Sequence, residues 1–364
     1  MEVYDFAIVG AGMAGASLAA GLAGQASVVV LEAEDQPGFH STGRSAAFWE
    51  ECYGGPEIVP LTLASGEFLR DGGFLNRRGA LYVGRKQDKP RLDAFEERFG
   101  STGATFERLD AAGLRAMIPG IRDDWCDAIW EPACADIDVA GLHQHYLKGL
   151  RSGGADLVTK AELDQAEYDG GEWQLQTSDG REYRARTLVN AAGAWADRIA
   201  EIAGCRPVGI GPLRRTVAQL RVSPAPAATN PLVLDISGRF YFKPESGRLW
   251  LSPHDEEPSE PCDAAPEELA VAEAIDRLES VVDWKVEAVE RKWAGLRSFA
   301  PDRLPVYGPD PRKPAFFWFA GQGGYGIQTA PAAAAIATAM LLQTPREDFA
   351  RGIDASIYSP ERFG

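Results

Sequence analysis

Apolar positions open the chain in a recognisable order. Asp5-Phe6-Ala7-Ile8-Val9 is a near-continuous apolar run that predicts a strand buried on both faces, and Val28-Val29-Val30-Leu31 predicts a second. Between them a helical pattern of small and apolar residues runs through Leu22, and the second strand ends on Glu32. The first strand enters that helix through Gly10-x-Gly12-x-x-Gly15.

Further along, the periodicity keeps changing. Ala33 to Arg44 is a polar loop. Ser45 to Trp49 turns apolar and reads as helical, Gly55-Pro56 breaks it, and Ile58 to Leu69 resumes a helical spacing. Gly79 to Val83 predicts a strand entering a second domain; Pro90 to Phe99, Asp110 to Met117 and His143 to Leu150 predict helices. Ala161 to Tyr168, Glu172 to Thr177 and Glu182 to Val189 form a β-meander, punctuated by Asp169-Gly170-Gly171 and Ser178-Asp179-Gly180. A second strand-rich block holds Leu232 to Ile236, Phe240 to Phe242 and Leu249 to Leu251. Then come a helix over Pro266 to Val281, strands at Trp293 to Phe299 and Phe316 to Ala320, a glycine turn, and an alanine-rich helix over Ala330 to Leu342. Alternating strands and helices predict an α/β (α+β) fold.

Strand, glycine turn, helix, strand and acid is the order a dinucleotide site requires. Gly10 permits the tight turn, Gly12 lets backbone approach a pyrophosphate, and Gly15 lets helix and strand pack closely. Met13 and Ala14 begin the helix whose N-terminus faces the phosphates. Glu32, 22 residues after Gly10, stands where a carboxylate bonds ribose hydroxyls and would repel a 2′-phosphate.

Composition narrows the partners. At 364 residues the chain has room for two domains, and its net charge of -16 disfavours nucleic acid and anionic membrane surfaces. A substrate carboxylate must therefore be caught by local arginines. The five cysteines show no C-x-x-C pair and read as free thiols, and His143-x-His145 is poorly spaced for a metal, so no metal site is expected. No secretory signal precedes the first strand, and the longest apolar stretch is too short to span a bilayer; a cytoplasmic protein without an integral membrane segment is expected.

The N-terminal fingerprint is joined by His40-Ser41-Thr42-Gly43-Arg44-Ser45-Ala46-Ala47, Val189-Asn190-Ala191-Ala192-Gly193-Ala194-Trp195 and Phe240-Tyr241-Phe242-Lys243-Pro244. Trp293-Ala294-Gly295-Leu296-Arg297-Ser298-Phe299 and Gly321-Gln322-Gly323-Gly324-Tyr325-Gly326-Ile327-Gln328-Thr329 follow. Together these segments resemble the D-amino-acid oxidase group of flavoproteins, which contains glycine oxidase and sarcosine oxidase, and within it D-arginine dehydrogenase most of all. The resemblance spans nearly the whole chain. It implies FAD as the dinucleotide, and a Rossmann-type FAD-binding domain (1–75, 142–208 and 302–364) beside a β-sheet-based substrate-binding domain with flanking helices (76–141 and 209–301).

On that resemblance, Ser41, Thr42, Gly43, Arg44, Ser45 and Ala47 run along the pyrophosphate, ribityl chain and flavin. Their residue types alone suit either phosphate or a surface turn capping the next helix. Ala192, Gly193 and Trp195 approach the cofactor. Gly323, Gly324, Tyr325, Gly326, Ile327, Gln328 and Thr329 bring a helix N-terminus toward the ring system, where its partial positive charge would stabilise a reduced, anionic flavin. With no cysteine or histidine in the matched segments where related enzymes tether the ring, noncovalent FAD is implied.

Arg297 sits in an otherwise apolar run; its planar fork suits a carboxylate, and a structural ion pair is the alternative. The resemblance places it on the substrate α-carboxylate, with Tyr241 donating to the same group. Tyr53 resembles a mobile lid tyrosine, Arg214 an arginine on the carboxylate side and Gln328 a residue beside the flavin. The chain departs from the arginine-preferring pattern at Ala80 (or Gly79), where a glutamate would hold a cationic side chain, at Phe48 for a histidine and at Glu50 for a small hydroxyl residue. Oxidation of a neutral or hydrophobic D-amino acid is thus implied, by hydride transfer from Cα to flavin N5, giving an imino acid that hydrolyses to a 2-oxo acid and ammonia. Glu50 or Glu51 restoring cation binding keeps a basic substrate open. The alternatives are a secondary amine, a 2-hydroxy acid or a flavin-binding module without turnover. An NAD(P)H-using reductase would need a second nucleotide fingerprint, and none follows a strand here. The dehydrogenase resemblance favours a quinone or respiratory carrier as electron acceptor, reached by peripheral contact with the inner membrane.

Overall fold

A computed structural model describes residues 2–364. Two large sheets and a small one organise the chain. In the first, Val3–Val9 lies between Glu182–Asn190 and Val28–Leu31, all parallel, with Ile8 opposite Val30 and Val189. Both faces of this centre are covered, which is why residues 6–9 and Val28–Leu31 are apolar throughout. On one face the helices Met13–Leu22, Val139–Ser152 and Ala330–Leu342 build a core with Ile8, Val30 and Phe319. Small residues let the first and last of these helices approach closely: a Cβ on Gly21 would lie 2.5 Å from Thr338 Oγ1. On the other face, Trp173, Leu175 and Trp318 pack with the helix Ala196–Ile202. The β-meander forms as the turns predict, Leu163–Asp169 with Glu172–Thr177 with Glu182–Asn190. Phe316–Ala320 joins parallel to the end of Glu182–Asn190, so this sheet draws strands from three separate stretches of chain.

The second sheet is built around a long antiparallel ladder, Gly211–Ser223 with Lys285–Phe299. Arg248–Ser252, Tyr241–Glu245, Leu232–Asp235, Ala80–Arg85, Trp125–Glu131 and Glu107–Asp110 follow in that order. The helices Glu268–Val281 and Ala111–Met117 bury Leu278 and Leu114 against it, beside Phe240 and Phe242.

Some elements differ from expectation. Ser45 to Trp49 is not helical: Phe48–Trp49 is a short strand paired with Asp136 and Ala135. The strand at Trp293 to Phe299 is the end of one beginning at Lys285, whose polar first half is more exposed. The helix after the glycine turn starts only at Ala330, so Gly324 to Thr329 is turn. Gln322–Gly323 pairs with Ser298 and Phe299, tying the last stretch of chain into the second sheet. Among the described residues no helix is long and apolar enough to cross a membrane.

Candidate active site

A cavity of about 390 Å³ is lined by residues of both sheets. At one end the glycine turn behaves as its chemistry requires. Gly10 has φ +98°, and a Cβ there would lie 2.7 Å from Ala191 O. A Cβ on Gly15 would lie 1.9 Å from Gly10 O, so helix and turn touch through backbone alone. Thr42 Oγ1 accepts from Met13 N at 2.9 Å, capping the helix from the following loop. Glu32 is buried; one oxygen accepts from Ala11 N at 2.7 Å and the other from Glu34 N at 3.0 Å. Burial raises its pKa, against the two N–H donors that hold the charge.

The middle of the cavity is stitched to the long ladder. Ser41 Oγ donates to Leu296 O at 2.7 Å and Trp293 Nε1 to Arg44 O at 3.0 Å. A Cβ on Gly295 would meet Arg44 Cβ at 3.3 Å. Arg44 pairs with Asp263 at 2.5 Å and lies over the Phe39 ring, so part of its charge is answered within the protein.

At the inner end stand Arg297, Tyr241, Arg215 and Ser298. Arg297 Nη1 donates to the Tyr53 hydroxyl at 2.5 Å, and Gly324 leaves the space for that contact, since a Cβ there would lie 2.1 Å from Tyr53 Oη. Among the described residues Arg297 has no carboxylate in ion-pair range. Burial pulls its pKa down, but the Tyr53 and Tyr241 hydroxyls with Glu256 and Asp255 outweigh this and keep it charged. Arg215 is almost fully buried: Nε donates to Asp255 O at 2.7 Å, Nη2 to Glu256 at 3.1 Å, and Nη1 has no partner among the described residues. Burial and the nearby Arg297 bring its pKa down to about 10. His254 packs edge-on against Tyr241, and burial with both arginines pushes its pKa to about 2, so the ring is neutral.

The structure corrects one arginine. Leu213 is opposite Arg297 and Arg215 opposite Gly295, so period-two alternation puts Arg215 on the cavity face and Arg214 on the other. Arg214 instead pairs with Glu267 at 3.1 Å.

Gly10, Gly12, Met13, Ala14, Glu32, Ser41, Thr42, Arg44, Ser45, Ala192, Gly193, Trp195, Gly323, Gly324, Gly326 and Ile327 line the cavity. Gly15, Gly43, Ala47, Tyr325, Gln328 and Thr329 lie behind that wall. Gly43 N closes a turn on Gly38 O at 2.8 Å, and Thr329 Oγ1 donates to Tyr325 O at 2.8 Å. The Gln328 carboxamide accepts from Glu50 N at 3.1 Å, donates to Glu50 O at 3.2 Å and to Thr62 Oγ1 at 2.8 Å, a clasp on one backbone segment. Phe48 packs edge-on against Tyr241, and Ala80 is fully buried in the same apolar cluster with Leu232 and Leu234. Ala161, Glu162 and Leu163, beside Glu32, complete the outer end; as the start of a meander they carry no motif that marks them.

Behind the clamp lies a buried acid pair. Glu131 is fully buried and accepts from Glu51 N and, at 3.4 Å, from Cys52 N. Burial raises its pKa to about 8 despite those donors. The folded state therefore holds a proton that the unfolded chain releases above about 4.5. Stability should then fall as pH rises through the window from 4.5 to about 8. Glu131→Gln should flatten that decline, as read from melting temperature against pH; an unchanged slope would show that this carboxyl does not carry it.

A family model described as FAD dependent oxidoreductase (DAO) matches residues 5–340. L-2-hydroxyglutarate dehydrogenase of Escherichia coli (strain K12) is 26% identical over 221 residues, covering 56% of this chain and 51% of that protein. The chain spans about half the length of the curated relatives it matches first. Glycine oxidase from Geobacillus kaustophilus superposes with a TM-score of 0.84 at 22% identity, over 99% of this chain and 98% of that one. L-alpha-glycerophosphate oxidase from Mycoplasma pneumoniae with FAD bound gives 0.85 at 16% identity, over 96% and 97%. The two structural likenesses speak to the fold. FAD fits the residues present: a glycine cradle that side chains would fill, a buried carboxylate at the end of the second strand, and a cavity continuing to a guanidinium that has no carboxylate partner among the described residues.

Proposed function

Because the chain belongs to the DAO family of FAD-dependent oxidoreductases, we propose that it oxidises the Cα–N bond of a D-amino acid with a neutral or apolar side chain. The imino acid product hydrolyses to a 2-oxo acid and ammonia. One observation carries the reading. The acids near the inner end already have arginine partners, Glu256 with Arg215 and Arg303 and Glu267 with Arg214, while Arg297 faces the cavity with only a phenol for company. A buried cation in that state calls for an anionic ligand, and a guanidinium takes a carboxylate through two parallel hydrogen bonds.

FAD, when bound, supplies the two-electron acceptor for the substrate hydride. The chain's residues do the rest. Glu32 and the glycine turn hold the dinucleotide noncovalently. Arg297 fixes the carboxylate, the Tyr241 hydroxyl adds a second donor, and Tyr53 shares its bond to Arg297 with the incoming acid. Orientation of this kind lowers the barrier by pre-paying rotational freedom. Phe48, Ala80, Leu232 and Leu234 back Tyr241 with apolar surface, and Ala80 offers nothing to pair with a guanidinium, which disfavours a D-arginine-like substrate.

A second reading uses the same clamp on a secondary amine or a 2-hydroxy acid. The free Nη1 of Arg215 favours it, because it could receive a further acidic group. Anaerobic mixing of the yellow holoprotein with D-amino acids, sarcosine, proline and 2-hydroxy acids separates the readings. Apolar D-amino acids should bleach the flavin fastest and D-arginine slowly; bleaching by hydroxy acids alone would replace the first reading with the second. A quinone or other respiratory carrier as the electron acceptor, met by peripheral contact at the inner membrane of a cytoplasmic protein, belongs to the same proposal. Reoxidation of the bleached protein by a soluble quinone should outpace reoxidation by oxygen.

A further inference from the structure

His143 is buried, and its ring nitrogen Nε2 lies 2.8 Å from Ala11 O. Burial lowers the pKa of the ring, against the pull of that carbonyl, so at neutral pH it carries a single N–H. A carbonyl oxygen can only accept, which puts that hydrogen on Nε2. Two features fix the ring in place. It belongs to the buried face of helix Val139–Ser152, with Leu142, Tyr146, Leu147 and Leu150. It also fills the space under the polar loop, since a Cβ on Gly38 would lie 2.8 Å from His143 Cε1.

Ala11 is the middle residue of Gly10-x-Gly12, and both of its backbone polar groups are held by side chains from elsewhere in the chain. Glu32 accepts from its N–H at 2.7 Å, and His143 donates to its C=O. The Ala11 carbonyl and the Gly12 N–H share one rigid peptide plane and point in opposite directions across it. Fixing the first therefore aims the second. Gly12 lines the cavity, and as the cap of helix Met13–Leu22 its N–H is among those that have no intrahelical partner. We propose that His143 is a positioning residue that aims the Gly12 N–H at the phosphates of the dinucleotide. The assignment needs the FAD of the family and neither of the substrate readings above.

The glycines on either side of Ala11 make such a hold necessary. Turning the Ala11–Gly12 peptide over reverses the sign of φ at position 12, which a glycine accepts without steric cost. Without the His143 bond, the Ala11 carbonyl is free to seek another donor, and the Gly12 N–H then faces away from the cavity. The protein without its dinucleotide tolerates that change, whereas binding the dinucleotide has to reverse it. The consequence falls on cofactor affinity rather than on the fold.

The test titrates full-length protein stripped of flavin with FAD, and separately with ADP, which carries the pyrophosphate without the ring system. His143→Leu removes the donor; His143→Gln restores an N–H where Nε2 stands. The leucine variant should bind both ligands roughly 5- to 150-fold more weakly, the span set by one buried carbonyl left without a donor. Its melting temperature without ligand should stay within about 2 °C of wild type. The glutamine variant should recover most of the lost affinity, which a purely structural role of the ring would not allow. Unchanged FAD affinity in His143→Leu, a loss for FAD that ADP does not share, or no recovery in His143→Gln overturns the proposal. If His143→Leu does not fold, His143→Asn, whose amide stops short of Ala11, takes its place in the same comparison.

Discussion

Arg297→Ala should weaken binding of a carboxylate ligand by roughly 30- to 3,000-fold while leaving the protein no less stable. The first part follows from truncating a buried, charge-assisted pair, which costs about 2–5 kcal/mol, at 1.4 kcal/mol per tenfold. The second follows from the partner that Arg297 lacks. Among the described residues its guanidinium makes one hydrogen bond, to the Tyr53 hydroxyl, and no ion pair, so removing it breaks no salt bridge that holds the fold. A structural arginine would behave in the opposite way, losing stability and leaving ligand binding nearly intact. Titration with a 2-oxo acid, read in the flavin spectrum, and a melting curve distinguish the two. Arg297→Lys should recover charge but not the bidentate geometry, and so fall between wild type and alanine.

Gly15→Ala should yield a colourless protein, or none that folds. The added methyl would sit 1.9 Å from Gly10 O, a backbone atom that cannot swing aside. Relief requires helix Met13–Leu22 to lift from the turn, which would also displace the N-terminus proposed to meet the pyrophosphate. A loss of about 3 kcal/mol or more is expected, within the range of strained core substitutions. Gly12→Ala is the internal control. Its methyl would meet only the Thr42 hydroxyl, at 3.3 Å, so the fold should survive with weaker flavin retention. Flavin-to-protein ratio after gel filtration, with melting temperature, reads both; full flavin occupancy in Gly15→Ala would refute the close-packing account.

The parts of this molecule visible in its residues are those fixed by neighbours in sequence. The opening fold unit needs only alternation of period and a glycine spacing, and the meander only its two turns. What stayed hidden depends on pairing across the chain. Ser45 to Trp49 is short, small and apolar, compatible with either period; its strand exists because Asp136 and Ala135, far along the chain, lie opposite. The choice between Arg214 and Arg215 turns on register with Lys285–Phe299, and a shift of one residue exchanges their faces. Gln328 has the composition of a cofactor neighbour, yet its amide is taken by Glu50 and Thr62, and nothing local announces that. The Glu50 and Glu131 carboxyls come together from separate elements, so their raised affinity for protons could be read only once both were placed.

The first sheet gathers strands from three stretches of chain, and Phe316–Ala320 is among the last to be made. On the ribosome, then, the nucleotide-binding turn emerges long before its flank at Glu182–Asn190 is completed by Phe316–Ala320 or its outer layer by Ala330–Leu342. The nascent polypeptide must carry an unfinished half while the intervening sheet is synthesised and folds. The sheet around the glycine turn is therefore complete only once Phe316–Ala320 has been made.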